Sequence, residues 1–144
     1  MKKTPFFSWD PETGSALCVL FDRDKTYYGT ATCAAADKDM MSEKTGCEIA
    51  YHRALISALR SRRDELKNQY QGLHNYYYSM VDSKYFDAES YPIRRLLDHL
   101  EMIKNDINSI KEEIENEQAF IKFYINSKNE FYEKIRHNRK AENN

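Results

Sequence analysis

The chain has 144 residues, enough for one domain or a small domain with a helical extension. Hydrophobic residues at 41% against charged residues at 31% fit a chain that folds around a core, and 4 Gly with 3 Pro leave little room for disorder. A net charge of -1 excludes a global basic field for nucleic acid, and no stretch approaches the roughly 20 apolar residues of a membrane span.

Cys18, Cys33 and Cys47 are odd in number and form no CxxC, so reduced thiols in a cytoplasm are expected rather than a disulfide framework. The N-terminal MKKTPFFSWDPE has no apolar run long enough for a signal peptide.

In chain order, Pro5 to Trp9 is apolar and aromatic, and Asp10-Pro11-Glu12-Thr13-Gly14 is a turn cluster. Ser15 to Phe21 (SALCVLF) and Thr26 to Cys33 (TYYGTATC) read as strands, joined by the charged turn Asp22 to Lys25. The pattern predicts a three-stranded antiparallel meander, which needs a covering element on its apolar face. Ala34 to Gly46 follows as an acidic loop with Asp37, Asp39 and Glu43. It lacks the alternating ligands and central glycine of an EF-hand, so a solvated loop is expected there rather than a metal site. Ser42 or Thr45 offers a hydroxyl cap for the next helix.

That helix is expected from about Cys47 to about Met80. Cys47, Ala50, Ala54 and Ala58 form a stripe of small residues that lets a helix sit close on a sheet. Ile49, His52, Ile56, Leu59, Arg63, Leu66, Tyr70, Leu73, Tyr77 and Met80 alternate spacings of three and four, a heptad seam. A second helix is expected from near Ser90, with Pro92 in its first turn and fraying from about His137. Its seam runs Ile93, Leu96, Leu100, Ile103, Ile107, Ile110, Ile114, Glu117, Ile121, Tyr124, Lys128, Phe131 and Ile135.

The fold class is therefore α+β: a small N-terminal three-stranded antiparallel sheet packed on a long, coiled-coil-like antiparallel helical hairpin. Residues 1–58 hold the meander and the start of the first helix, and 59–144 hold the hairpin. Folding about the connector sets His52 and Ile56 level with Glu117. Leu97, Met102, Phe120, Phe123 and Ile125 lie off the second seam and are available to a second copy, so a homo-oligomer, a dimer or larger, is expected.

Four constellations carry chemistry. His52 and Glu117 are polar residues in apolar seams: either an acid–base couple or a polar layer that sets register, the latter favoured because no nucleophile or glycine-rich loop accompanies them. Cys33, Cys47 and His52 meet where strand, loop and helix join, but zinc wants a fourth ligand, so buried thiols packing as small hydrophobes are expected. Arg53 and Arg60 are seven residues apart on one helix face, with Tyr51 nearby, and suit an anionic nucleotide; ion pairs to the acidic run at Glu112 to Glu117 are the competing reading. The hairpin tip holds Tyr85, Phe86, Arg94 and Arg95 among further tyrosines, a mixture that suits base stacking with phosphate contacts, a protein-binding surface, or packing of the connector. No metal site, cofactor or catalytic motif is expected, and the balanced charge argues against nucleic acid, double-stranded RNA included.

Ser42 to Ala54 (SEKTGCEIAYHRA) resembles a pattern recurrent in uncharacterised proteins of phages and prophages of Gram-positive bacteria, which look alike through the preceding strands and the long C-terminal helices as well. A small sheet with two long helices also looks like the Thoeris anti-defence sponge family, which sequesters cyclic ADP-ribose-type immune signals at protomer interfaces. No ligand residue of that family is carried over to this chain. The resemblance implies a non-enzymatic counter-defence protein in the host cytoplasm that binds a small cyclic nucleotide. The alternative is an inhibitor or adaptor that binds a host or defence protein through its coiled coil and aromatic tip.

Overall fold

A computed structural model of the chain describes residues 4–33, 42–83, 86–87 and 89–143. Strands β1 (Thr4–Asp10), β2 (Ser15–Asp22) and β3 (Lys25–Thr32) precede helices α1 (Glu43–Asp82) and α2 (Tyr91–Glu142). The sheet has the order β1-β2-β3 and both pairings are antiparallel, so the expected meander and helical pair form an α+β fold.

Contacts group the chain into two units, Met1–Ala58 with Glu115–Asn144, and Leu59–Ile114. The last 30 residues of the chain thus belong with the sheet rather than with 59–114.

In the first unit, strand alternation sorts the sheet into two faces. Register brings Phe7, Cys18 and Gly29 side by side on one face, followed by Trp9, Ala16 and Ala31. Ala16, Cys18, Leu20 and Ala31 on this face are all buried. The other face carries Phe6, Phe21 and Tyr28, each about half exposed or more at 56%, 49% and 65%, so this sheet is covered on one side only. Two loops close the meander. Gly14 takes φ 65 and its N–H donates to the Asp10 carbonyl at 2.9 Å, a left-handed position that glycine fills without Cβ strain.

The covering element is α1, and it lies against the backbone of β3. A methyl group added at Gly29 would run into the Ala50 carbonyl oxygen and the Ala54 nitrogen, and would lie 2.8 Å from the Arg53 Cβ. Ala50, Ala54 and Ala58 are buried, so the small-residue stripe is the helix face that meets the sheet. The far end of α2 runs antiparallel to α1 in this unit, with Glu117 beside His52 and Tyr132 at the level of Thr45.

Helix α1 starts at Glu43 rather than near Cys47, because Ser42 is the cap: its Oγ accepts from the Thr45 N–H at 3.1 Å. Helix α2 follows Ser90 as expected, and the Ser90 carbonyl accepts the Arg94 N–H at 3.0 Å. It continues to Glu142 instead of fraying from His137; Arg139 and Lys140 in the last turn oppose the negative end of the helix dipole.

In the second unit the chain reverses between the helices, and Leu66, Ile93, Leu100 and Ile103 are buried as the seams require. One seam position fails, in the first unit. Phe131 is 55% exposed and its neighbour Tyr132 is 6% exposed. An α-helix drifts about 20° per heptad from a strict 3.5 repeat, so a step of four from Lys128 brings Tyr132, not Phe131, inward. Ile125, assigned above to an outward face, is half-buried and lines a half-open recess.

Candidate functional site: a cationic cavity beside the sheet edge

Three segments of the first unit converge at the end of β3. Ala31, Thr32 and Cys33 form one wall, Thr45, Ile49 and Arg53 of α1 a second, and Ile125, Lys128, Asn129 and Tyr132 of α2 a third. They frame a half-open recess of about 120 Å3, with Arg53 and Asn129 exposed at its mouth. The strand brings its last residues here because α1 sits directly on Gly29, two residues earlier. The helix brings Arg53 because that residue flanks the small-residue stripe, on the β3 side of Ala50 and Ala54.

The Arg53 Nη1 donates to the Thr30 carbonyl at 2.7 Å. This bond holds the guanidinium at the sheet edge and uses one of its five N–H donors. Lys128 is half-buried, and its ammonium lies 5.5 Å from the centroid of the Tyr124 ring, a cation–π arrangement that directs it along α2. Thr45, 5% exposed, stands in the first turn of α1 with its N–H taken by the Ser42 Oγ, at the positive end of the helix dipole. No carboxylate is among the described residues that line the cavity.

The other residues singled out in the sequence fall in several places. Tyr51 is two residues from Arg53 in sequence and faces the opposite way: its ring packs 6.3 Å from Phe7 of β1 and edge-on to His52 at 5.4 Å. The expected pairing of Tyr51 with Arg53 is therefore split by the helix between them. Arg60 is exposed and belongs to the second unit. The ion pairs described for its neighbours run along α1 itself, Arg62 to Glu65 at 4.0 Å and Arg63 to Asp64 at 3.2 Å, rather than across to α2. Phe86, Arg94 and Arg95 are exposed in the second unit, and Tyr85 lies outside the described residues, as do Asp37 and Asp39. Nearby on α1, His74 stacks on Tyr70 at 5.7 Å and meets Tyr78 edge-on at 4.7 Å.

His52 and Glu117 do meet. Nδ1 lies 2.5 Å from Glu117 Oε2, and Nε2 lies 3.2 Å from Glu48 Oε1. A carboxylate has no proton to give, so the ring donates to Glu117, and to Glu48 as well when both nitrogens carry hydrogen. Phe120 covers the ring at 4.3 Å. The two carboxylates sit on opposite ring nitrogens and do not converge on one point as chelating ligands would. Among the described residues no group of three or more His, Cys, Asp or Glu side chains is arranged to hold a metal ion. Cys47 belongs with Cys18 rather than with His52: burial first, and the neighbouring Cys47 thiol second, push the Cys18 thiol above its ordinary range. Burial, then the Glu43 charge, does the same to Cys47.

Sequence reasoning reached Arg53 but missed Lys128, Asn129 and Tyr132. The signal for Lys128 was present: a lysine at a seam position in a run of isoleucines, 128 in a series otherwise apolar but for Glu117. Among the described residues no helix is long and apolar enough to cross a membrane. No family profile, no curated protein and no solved structure matches the chain.

Proposed function

We propose that this chain is a non-enzymatic, phage-encoded counter-defence protein that binds and sequesters a small cyclic nucleotide signal in the host cytoplasm, as a homo-oligomer. The observation that supports it is the cavity: Arg53 and Lys128 on two helices face one space whose described lining contains no acid. Two cations held around a recess attract phosphate, and an arginine fork anchored by one bond keeps donors for more. The resemblance of Ser42 to Ala54 to phage proteins supplies the biological setting.

Native mass spectrometry of protein purified gently from its host tests this first. An oligomer carrying an added mass of nucleotide size is the expected result. Calorimetry against a panel of cyclic nucleotides should then show micromolar or tighter binding that weakens on Arg53→Ala; absence of heat across the panel would refute sequestration.

A second reading is favoured by the exposed rings of the second unit, Tyr76, Tyr78 and Tyr91 at 58%, 54% and 68%. Large exposed aromatics are frequent anchors of protein interfaces. On this reading the chain inhibits or adapts a host or defence protein. One stoichiometric partner retained from host lysate, and lost on Tyr78→Ala with Tyr91→Ala, is its test.

A further inference from the structure

The size of the cavity says which part of a ligand enters it. Sites that enclose a whole small molecule run to about 300–1,000 Å3. At about 120 Å3 this one is well under half the lower figure. A nucleotide is too large for it; a single phosphoryl group with its first ester carbon is of the right scale.

The lining matches that group. Arg53 and Lys128 bring two positive charges, and Asn129 brings an amide. The first turn of α1 at Thr45 adds the positive end of a helix dipole. Tyr132 is the single aromatic residue among the described lining. The other rings near α1, Tyr51 and Phe7, lie on the far side of that helix, so the described lining sets two cations against a single ring, Tyr132.

We propose that the cavity is a receptor for one dianionic phosphoryl group, that of a terminal phosphomonoester, with the nucleoside left outside it. This rests on the nucleotide-binding reading and departs from it in the phosphate class, a terminal monoester in place of a cyclic ester. A monoester carries nearly two negative charges at neutral pH and leaves three oxygens for the Arg53, Lys128 and Asn129 donors. A cyclic phosphodiester carries one charge and has two of its oxygens esterified, so it fits the recess less well.

The test is isothermal calorimetry of the full chain with adenosine monophosphate, inorganic phosphate, 3′,5′-cyclic adenosine monophosphate and adenosine, at low and high salt. The monophosphate and inorganic phosphate should bind, the cyclic ester should bind at least tenfold more weakly than the monophosphate, and adenosine should give no heat. Affinity for the monophosphate should fall with salt. Lys128→Gln should weaken it about tenfold or more, by loss of one charge-assisted hydrogen bond. Arg53→Lys, which keeps the charge and loses the fork, should weaken it too, and melting curves confirm that both variants are folded. Adenosine binding as tightly as its monophosphate would overturn the proposal. So would a cyclic ester that binds more tightly than the monophosphate and ignores Lys128→Gln, a result that leaves nucleotide sequestration standing at another site. Silence of every phosphate compound up to millimolar concentration would overturn the proposal, while sequestration of another signal stands or falls with the mass spectrometry and the wider cyclic-nucleotide panel.

Discussion

Substituting Gly29 by alanine is the sharpest test of how the sheet is held to α1. The added methyl meets the Ala50 carbonyl oxygen, the Ala54 nitrogen and the Arg53 Cβ. Overpacking against side chains costs about 1–3 kcal/mol, because a side chain can change rotamer. Here two of the three nearest atoms are backbone of a helix, which yields only by moving as a whole. The upper end, about 3 kcal/mol, is therefore the expected loss. At about 4 °C per kcal/mol for a chain of this length, the thermal midpoint should fall by about 12 °C. The control is the same substitution at Gly72, an exposed site inside α1 where an added methyl meets nothing within 4 Å. There alanine should stabilise by about 0.5–1 kcal/mol, since glycine loses more backbone freedom on folding. Circular dichroism melts of the two variants should thus move in opposite directions. Separation of β3 from α1 should also break the Arg53 bond to the Thr30 carbonyl and weaken anion binding. A Gly29→Ala protein that melts at the wild-type temperature, or above it, would refute the close approach and the cavity wall built on it.

Three further outcomes are expected. A double-mutant cycle on His52→Ala and Glu117→Ala, followed by urea unfolding, should give a coupling of about 1–2 kcal/mol, since the pair is half-buried and hydrogen-bonded; additive losses would show that the contact does not matter to stability. Ser42→Ala should cost about 1 kcal/mol by removing the cap of α1, with Ser42→Asp close to neutral, as thermal melts would show. The Cys18 and Cys47 thiols, pushed up by burial, should react slowly with a thiol reagent in the native protein and quickly in urea. Because the native state holds these protons more tightly than the unfolded chain, the stability they contribute is complete below pH about 8.5, near the free thiol value, and is lost as pH rises through the raised native values. Native-state labelling of Cys18 at the rate of a free thiol would contradict its burial at 0% exposure.

Much of the architecture could be read from the sequence because its causes are local and periodic. The short apolar run SALCVLF marks a strand, and spacings of three and four mark seams that hold from Ile93 to Ile121. The small stripe at Ala50, Ala54 and Ala58 announced a close helix–sheet contact, though not its partner. The level pairing of His52 with Glu117 followed from counting outward from the connector, since two antiparallel helices keep register over their length.

The candidate site was legible only in part. Arg53 stood out as a cation on a helix face, but the sequence set it near Tyr51, and residues two apart on a helix point about 200° apart. Packing on the sheet turned that angle into a separation, with Tyr51 toward β1 and Arg53 toward β3. Lys128 and Tyr132 are nearly eighty residues further on, and no local pattern ties them to Arg53.

The sequence by itself therefore determined the elements, their order and the faces they bury, because those follow from period and from burial of apolar surface. Tertiary structure alone decided which cations share a cavity. That depends on three contacts between distant segments: the glycine that admits α1 against β3, the antiparallel return of α2, and the slow drift of that helix which turns Tyr132 inward in place of Phe131.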